Sequence, residues 1–234
     1  MVRDKNISFA FRDEEKCEIC LQGDNYSHLE SEGVKTNIET CNVCRKWNDH
    51  IDSAKDARKE YERDRDIHND LSQDILYLSS DMQKVIVLPQ MRGVKDCFFT
   101  KGLVVFHQTF APLGATKSKA RAKRTLAVLW HEGVSGIIAA DLSSVYDIAL
   151  RHFSESFDNI VIWADNCAAQ IKNWTLFSTL HCLVNDPSSS TDEIQIKYFE
   201  KGHSFMSADS FHASVEKRFC RCSGRCNFIT STKS

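Results

Sequence analysis

Four acidic residues stand where the apolar patterns of this chain end or turn. Asp81 closes DILYLSSD, Asp165 closes NIVIWAD, and Asp209 and Glu216 lie in SADSFHASVEK. Carboxylates gathered at one place are hard oxygen ligands suited to Mg²⁺ or Mn²⁺. Two such ions about 4 Å apart can activate a water or a 3′-hydroxyl and stabilise the leaving oxygen of a phosphodiester. The acids must then be held rigidly, because like charges at close range are tolerated only with cations among them. A second set of ligands is softer. Cys17-x2-Cys20 and Cys41-x2-Cys44, with 20 residues between the pairs, have the spacing of a structural zinc site, and His28 and His50 can replace a cysteine that points away.

Each residue also has a plainer reading. Asp165 or Asn166 can cap the helix that follows, and Asp81 can be a turn residue. Asp209 falls in a first helical turn, where the helix dipole favours an acid anyway. Glu216 can be an ordinary solvated helix residue. His203 and His212, near the acidic stripe, read as structural, with contact to a phosphate or orientation of a carboxylate as the functional alternative. Only joint placement raises the metal reading above these, so the elements that position the residues decide it.

Residues 71–219 read as one α/β unit. DILYLSSD, FFTKGLVVFHQTFAP and TLAVLWHEG are three strands. Ile138, Leu142, Val145 and Ala149 recur at helical spacing after Gly136. NIVIWAD is apolar without a break, which implies burial on both faces in the middle of a mixed sheet. Trp174, Phe177, Leu180 and Val184 mark a second helix, and EIQIKYFE alternates as an edge strand does. A last helix begins near Ser207, with Phe211, Val215 and Phe219 on its apolar side and Asp209, His212 and Glu216 along a neighbouring stripe. Three strands, then helix, strand, helix, strand, helix is the order of a ribonuclease H-like fold, a mixed sheet with flanking helices. In that fold the first and fourth strands are neighbours, and Asp81 and Asp165 would end side by side, outside the strands' carboxyl ends.

Around this core, residues 1–70 hold the paired cysteines and a charged helical stretch with a narrow stripe of Trp47, Ile51, Ala54, Arg58 and Tyr61, a small Cys-rich helical zinc module. Residues 220–234 read as an irregular tail in which Cys220, Cys222 and Cys226 have no evident fourth partner. Cys97, Cys167 and Cys182 read as packed thiols. The composition, 42% hydrophobic and 26% charged, is that of a globular protein, and no apolar run reaches the roughly 18 residues of a membrane span. The N-terminus carries no apolar signal core, which with the CxxC pairs favours metal binding in a reducing, intracellular compartment. A net charge of −2 excludes bulk attraction to nucleic acid. A DNA contact would have to be local, and Lys117, Lys119, Arg121, Lys123 and Arg124 offer one on a predicted hairpin tip; a solvated surface loop is the plainer reading. A phosphatase with a strand-end aspartate nucleophile is disfavoured, because Gln83 stands where its second aspartate belongs.

The blocks YLSSDMQKVIVLP, FFTKGLVVFHQTFAP, LWHEG, WADNCAAQIKNW and KYFEKGHSFMSADSFHASVEK, in that order across about residues 15–219, resemble a large, little-characterised animal family derived from transposable elements. The resemblance implies a ribonuclease H-like transposase core that cuts and joins DNA in the nucleus with two Mg²⁺ or Mn²⁺ ions. Its catalytic and metal-binding triad would be Asp81, Asp165 and a third acid from the last block. Asp209 is favoured for its place beside GHSFM, with Glu216 as the alternative. The chain departs from the family at Ile171 and His107, where Asn is usual, and at Ile137, where Arg is common, and a Cys-rich ending replaces the usual continuation. These departures keep a second expectation alive: a catalytically inactive, domesticated scaffold that binds nucleic acid or a protein partner.

Overall fold

A computed structural model describes residues 17–25, 41–69, 75–88, 101–114, 125–167 and 170–222. His28, Cys97, Cys226 and the basic run 117–124 lie outside the described residues. The chain forms two compact units, Met1–Ser53 and Ala54–Ser234. The first contains α1 (Glu18–Asn25) and the start of α2 (Asn42–Asn69). Gly23 is required where these helices meet, since a Cβ there would lie 2.3 Å from the Trp47 ring. The second half of α2 belongs to the α/β unit, where Tyr61 and Asp64 are buried.

The α/β unit holds β1 (Ile75–Met82), β2 (Ile86–Leu88), β3 (Leu103–Pro112), β4 (Leu126–His131), α3 (Ala139–Ser154), β5 (Asn159–Ala164), α4 (Trp174–Val184), β6 (Glu193–Tyr198) and α5 (Ser207–Cys222). These form a mixed sheet with flanking helices. β4, β3 and β1 pair antiparallel, β1 and β5 pair parallel, and β5 and β6 pair parallel, giving the order β4-β3-β1-β5-β6. The three-residue β2, too short for a sequence pattern, extends the β1 edge along β3. Met82 faces Gln108 whereas Ile86 faces Val105, so four steps along one strand match three along the other. That extra residue is a bulge, placed just beyond Gln83, which still donates its N–H to the His107 carbonyl at 2.9 Å.

The unbroken apolar run of β5 is explained by its two covered faces. Ile160, Ile162 and Ala164 join Leu76 and Leu78 of β1 against Val145, Ala149 and Leu150 of α3 and Leu176, Leu180 and Leu183 of α4. Val161 and Trp163 point the other way, with Tyr77, toward Tyr61 of α2, Phe199 and Met206. Each fully buried aliphatic side chain contributes about 1.5–3 kcal/mol, so this central strand anchors the unit. The alternating β6 lies at the edge, as its pattern requires. Two expectations need correction. Cys182 is exposed on α4 rather than packed, because Leu176, Leu180 and Leu183 take the core side. The last helix runs on to Cys222, into the expected tail.

Candidate metal centre

Asp81 is the next-to-last residue of β1 and shares a face with Ser79. That face is covered by α5, and three fastenings fix the helix's first turn. The buried Ser79 hydroxyl accepts the Ala208 N–H at 3.0 Å and donates to the Ala111 carbonyl at 3.2 Å. Tyr61 of α2 accepts the Ser207 N–H at 3.0 Å and lies 3.0 Å from the Ser207 hydroxyl. Asp209 Oδ2 accepts the Met206 N–H at 2.7 Å, closing the helix start as a capping acid does. Upstream, Gly202 at φ 78° sits in the Glu200–His203 turn, in the left-handed region where a side chain is strained. This turn leads the chain from β6 back to β1.

The result is a group of Asp81, Asp209 and His212 whose ligand atoms all lie within 4.8 Å of one another. His212 Nδ1 stands 3.4 Å from Asp81 Oδ2, and His212 Nε2 is 2.9 Å from the Thr109 hydroxyl. Ligands about 2.1 Å from one octahedral ion are about 3.0 Å apart in cis and 4.2 Å in trans, so closing by up to about 0.6 Å would bring the group to the dimensions of a single cation site. Burial, and then the neighbouring Asp81 charge, push Asp209 above the usual carboxylate range despite the Met206 N–H and His212. A cation among these groups would relieve that cost.

The structure thus separates the two candidates for the third acid. Asp209 meets Asp81. Glu216, two turns further along α5, instead accepts a hydrogen bond from Gln83 Nε2 at 3.3 Å and lies outside the group. Asp165 follows β5 directly, and the last parallel pair, Ser80 with Ala164, sets it one position beyond as the neighbour of Asp81. Its carboxylate accepts the Asn166 N–H at 2.7 Å and does not join the group. Nor does it cap a helix. Asn173 does that, its Oδ1 accepting the Leu176 N–H at 2.9 Å at the start of α4. His212, which the sequence marks as structural or as orienting a carboxylate, is the third member of the group. Its i+3 spacing from Asp209 was the available signal.

In the first unit, Cys17, Cys20 and His50 come together. Cys17 Sγ is 3.1 Å from His50 Nε2 and accepts the Cys20 N–H at 3.4 Å. Sulfur and nitrogen on a tetrahedral zinc would be about 3.6 Å apart, so these residues fit a zinc ion with a shift of about 0.5 Å. Cys41 and Cys44 do not fall in this group. Partial burial, and then a hydrogen bond with Cys41, raise the Cys44 thiol above its ordinary range. Glu132, beside the candidate strands, has a structural role: its Oε1 accepts the Val104 N–H at 3.1 Å. Among the described residues no helix is long and apolar enough to cross a membrane. No protein-family model matches the chain, and no curated protein matches it.

Proposed function

We propose that this chain is a transposase-derived, ribonuclease H-like protein carrying out divalent-metal-dependent cleavage or strand transfer of DNA phosphodiesters. The observation that carries this reading is the meeting of Asp81, Asp209 and His212 where neighbouring parallel strands β1 and β5 end, with Asp165 next in register. The strand order β4-β3-β1-β5-β6 supports it, since the first and fourth major strands of a ribonuclease H-like sheet are central neighbours. A divalent cation held by Asp81, Asp209 and His212 would supply Lewis-acid stabilisation of charge developing on phosphate oxygens. Asp81 and Asp209 hold the charge-balancing oxygens in place, and β1 and the first turn of α5 keep them rigid. A second ion would call on Asp165, beside Asp81.

The reading of an inactive scaffold is favoured by one observation: the Asp165 carboxylate is turned to its neighbour's N–H. Incubating the full chain with labelled duplex DNA and Mn²⁺ distinguishes the two. Catalysis predicts cleavage that Asp81→Asn and Asp165→Asn each abolish while leaving the circular dichroism spectrum unchanged. Cleavage that persists in both variants removes the catalytic assignment, and a wild-type chain that binds Mn²⁺ without cutting supports the scaffold.

A further inference from the structure

A chain of hydrogen bonds runs from the surface of α5 to the acid group, and its direction is fixed by chemistry. Glu216 is a carboxylate and only accepts, so Gln83 must turn its amide nitrogen toward it, at 3.3 Å. The Gln83 carbonyl oxygen then faces His107 Nδ1 at 2.6 Å, and it too only accepts. His107 therefore carries its proton on Nδ1. The ring is 2% exposed and faces no carboxylate in this chain of bonds, so it stays neutral and its Nε2 is a bare acceptor. The Thr109 hydroxyl, 3.1 Å away, donates to that nitrogen. Having spent its proton, Thr109 can only accept from His212 Nε2 at 2.9 Å.

His212, 7% exposed, is thereby committed to carrying a proton on Nε2. Its neutral form directs a lone pair from Nδ1 toward Asp81 Oδ2, 3.4 Å away. Two acceptors face each other there, with an Asp209 oxygen as a third within reach. A proton satisfies one pair of these; a metal ion satisfies all three at once. Ligand imidazoles are commonly oriented through the other ring nitrogen in this manner.

We propose that Glu216, Gln83, His107 and Thr109 form a polarised relay that fixes the tautomer of His212 and makes its Nδ1 a ligand to a divalent cation shared with Asp81 and Asp209. The nitrogen ligand shifts preference away from Mg²⁺ toward first-row transition ions, among which Mn²⁺ binds most weakly and serves as a spectroscopic probe. Thr109, His107 and Gln83 are positioning residues acting through His212. The inference rests on the cation site of the proposed function and not on its phosphodiester chemistry.

The test uses the full chain with zinc supplied first to its cysteines, and Mn²⁺ as the probe. Electron spin-echo measurements on the Mn²⁺-bound protein should show modulation from a directly bound imidazole nitrogen, and His212→Asn should abolish it. Mn²⁺ should bind at least about 10-fold more tightly than Mg²⁺. Thr109→Val keeps the side chain's shape but breaks the relay, and should weaken Mn²⁺ about 10-fold or more; Thr109→Ser should restore binding to within about 2-fold. Bound Mn²⁺ with no nitrogen modulation, or modulation that survives His212→Asn, overturns the His212 assignment while leaving the acid site standing. Thr109→Val with unchanged affinity overturns the relay. A wild-type chain that binds no Mn²⁺ at millimolar concentration overturns both the site and the relay. Nitrogen modulation without DNA cleavage upholds the inference and removes the phosphodiester chemistry instead.

Discussion

Asp64 offers a direct measure of what holds the α/β unit's own part of α2 in place. The residue is 2% exposed, and its Oδ2 accepts from Trp163 Nε1 at 2.9 Å and Lys197 Nζ at 2.7 Å. Lys197 also reaches Glu60 Oε1 at 2.9 Å. Asp64→Ala leaves the buried indole N–H without an acceptor, costing about 1–3 kcal/mol, and removes a charge-assisted bond worth about 1.5–3 kcal/mol. Glu60 retains part of the lysine's pairing, so the expected loss is about 3–5 kcal/mol, typical of breaking one side of a buried pair. For a unit of this size that lowers Tm by about 6–20 °C. Asp64→Asn keeps an acceptor oxygen and should cost about half as much. Urea and thermal unfolding of the full chain at pH 7, followed by circular dichroism, measure both. An Asp64→Ala protein within about 0.5 kcal/mol of wild type would show that these buried bonds do not hold α2 against the sheet. The pH dependence has a definite sign. Burial opposes the charge on Lys197, but Asp64 and then Glu60 outweigh it and raise its pKa. The stabilisation is therefore fully present below the ordinary lysine value, about 10.4, and is lost only as pH rises through the higher folded value.

Three further outcomes follow from single contacts. Ser80→Ala removes the group that Tyr146 Oη meets at 2.7 Å and Gln108 Nε2 meets at 2.8 Å in the core, and should cost about 2–4 kcal/mol by urea unfolding; a loss under about 1 kcal/mol contradicts the pairing. Asn173→Ala should cost about 1 kcal/mol as a lost helix cap, whereas Asp165→Ala should change stability by less than about 0.5 kcal/mol, and the reverse ranking would return Asp165 to the role of cap. Zinc measured by atomic absorption on the purified full chain should fall by one equivalent in Cys17→Ser and in His50→Ala; loss on Cys41→Ser alone would move the site to the other cysteine pair.

Much of the scaffold is legible in the sequence because burial writes itself as pattern. The unbroken NIVIWA run belongs to a strand covered on both faces, and the alternation of Ile194, Ile196 and Tyr198 belongs to an edge strand. What pattern does not carry is through-space partnership. His212 reads as an ordinary helix histidine until Thr109, 103 residues earlier, is seen hydrogen-bonded to its Nε2. Asp64, Trp163 and Lys197 sit in three separate elements, and nothing local announces that they meet. The ambiguity between Asp209 and Glu216 has the same origin. Both lie on one stripe of α5, and only the docking of its first turn on Ser79 decides which reaches Asp81. The cysteine spacing offers candidate ligands without saying which of them assemble, and His50 joins Cys17 and Cys20 only through the fold of α2.

A calorimetric Mn²⁺ titration of the zinc-loaded full chain, with the thermal shift measured alongside, tests directly whether Asp81 and Asp209 share a cation. One saturable site is expected, raising Tm by about 5–11 °C at 100-fold excess over Kd, where bound ligand adds about 2.7 kcal/mol. Asp81→Asn and Asp209→Asn should each abolish both the binding and the shift, while Glu216→Gln should weaken them without abolishing either. Mn²⁺ affinity unchanged in Asp81→Asn and Asp209→Asn would show that these acids hold no cation.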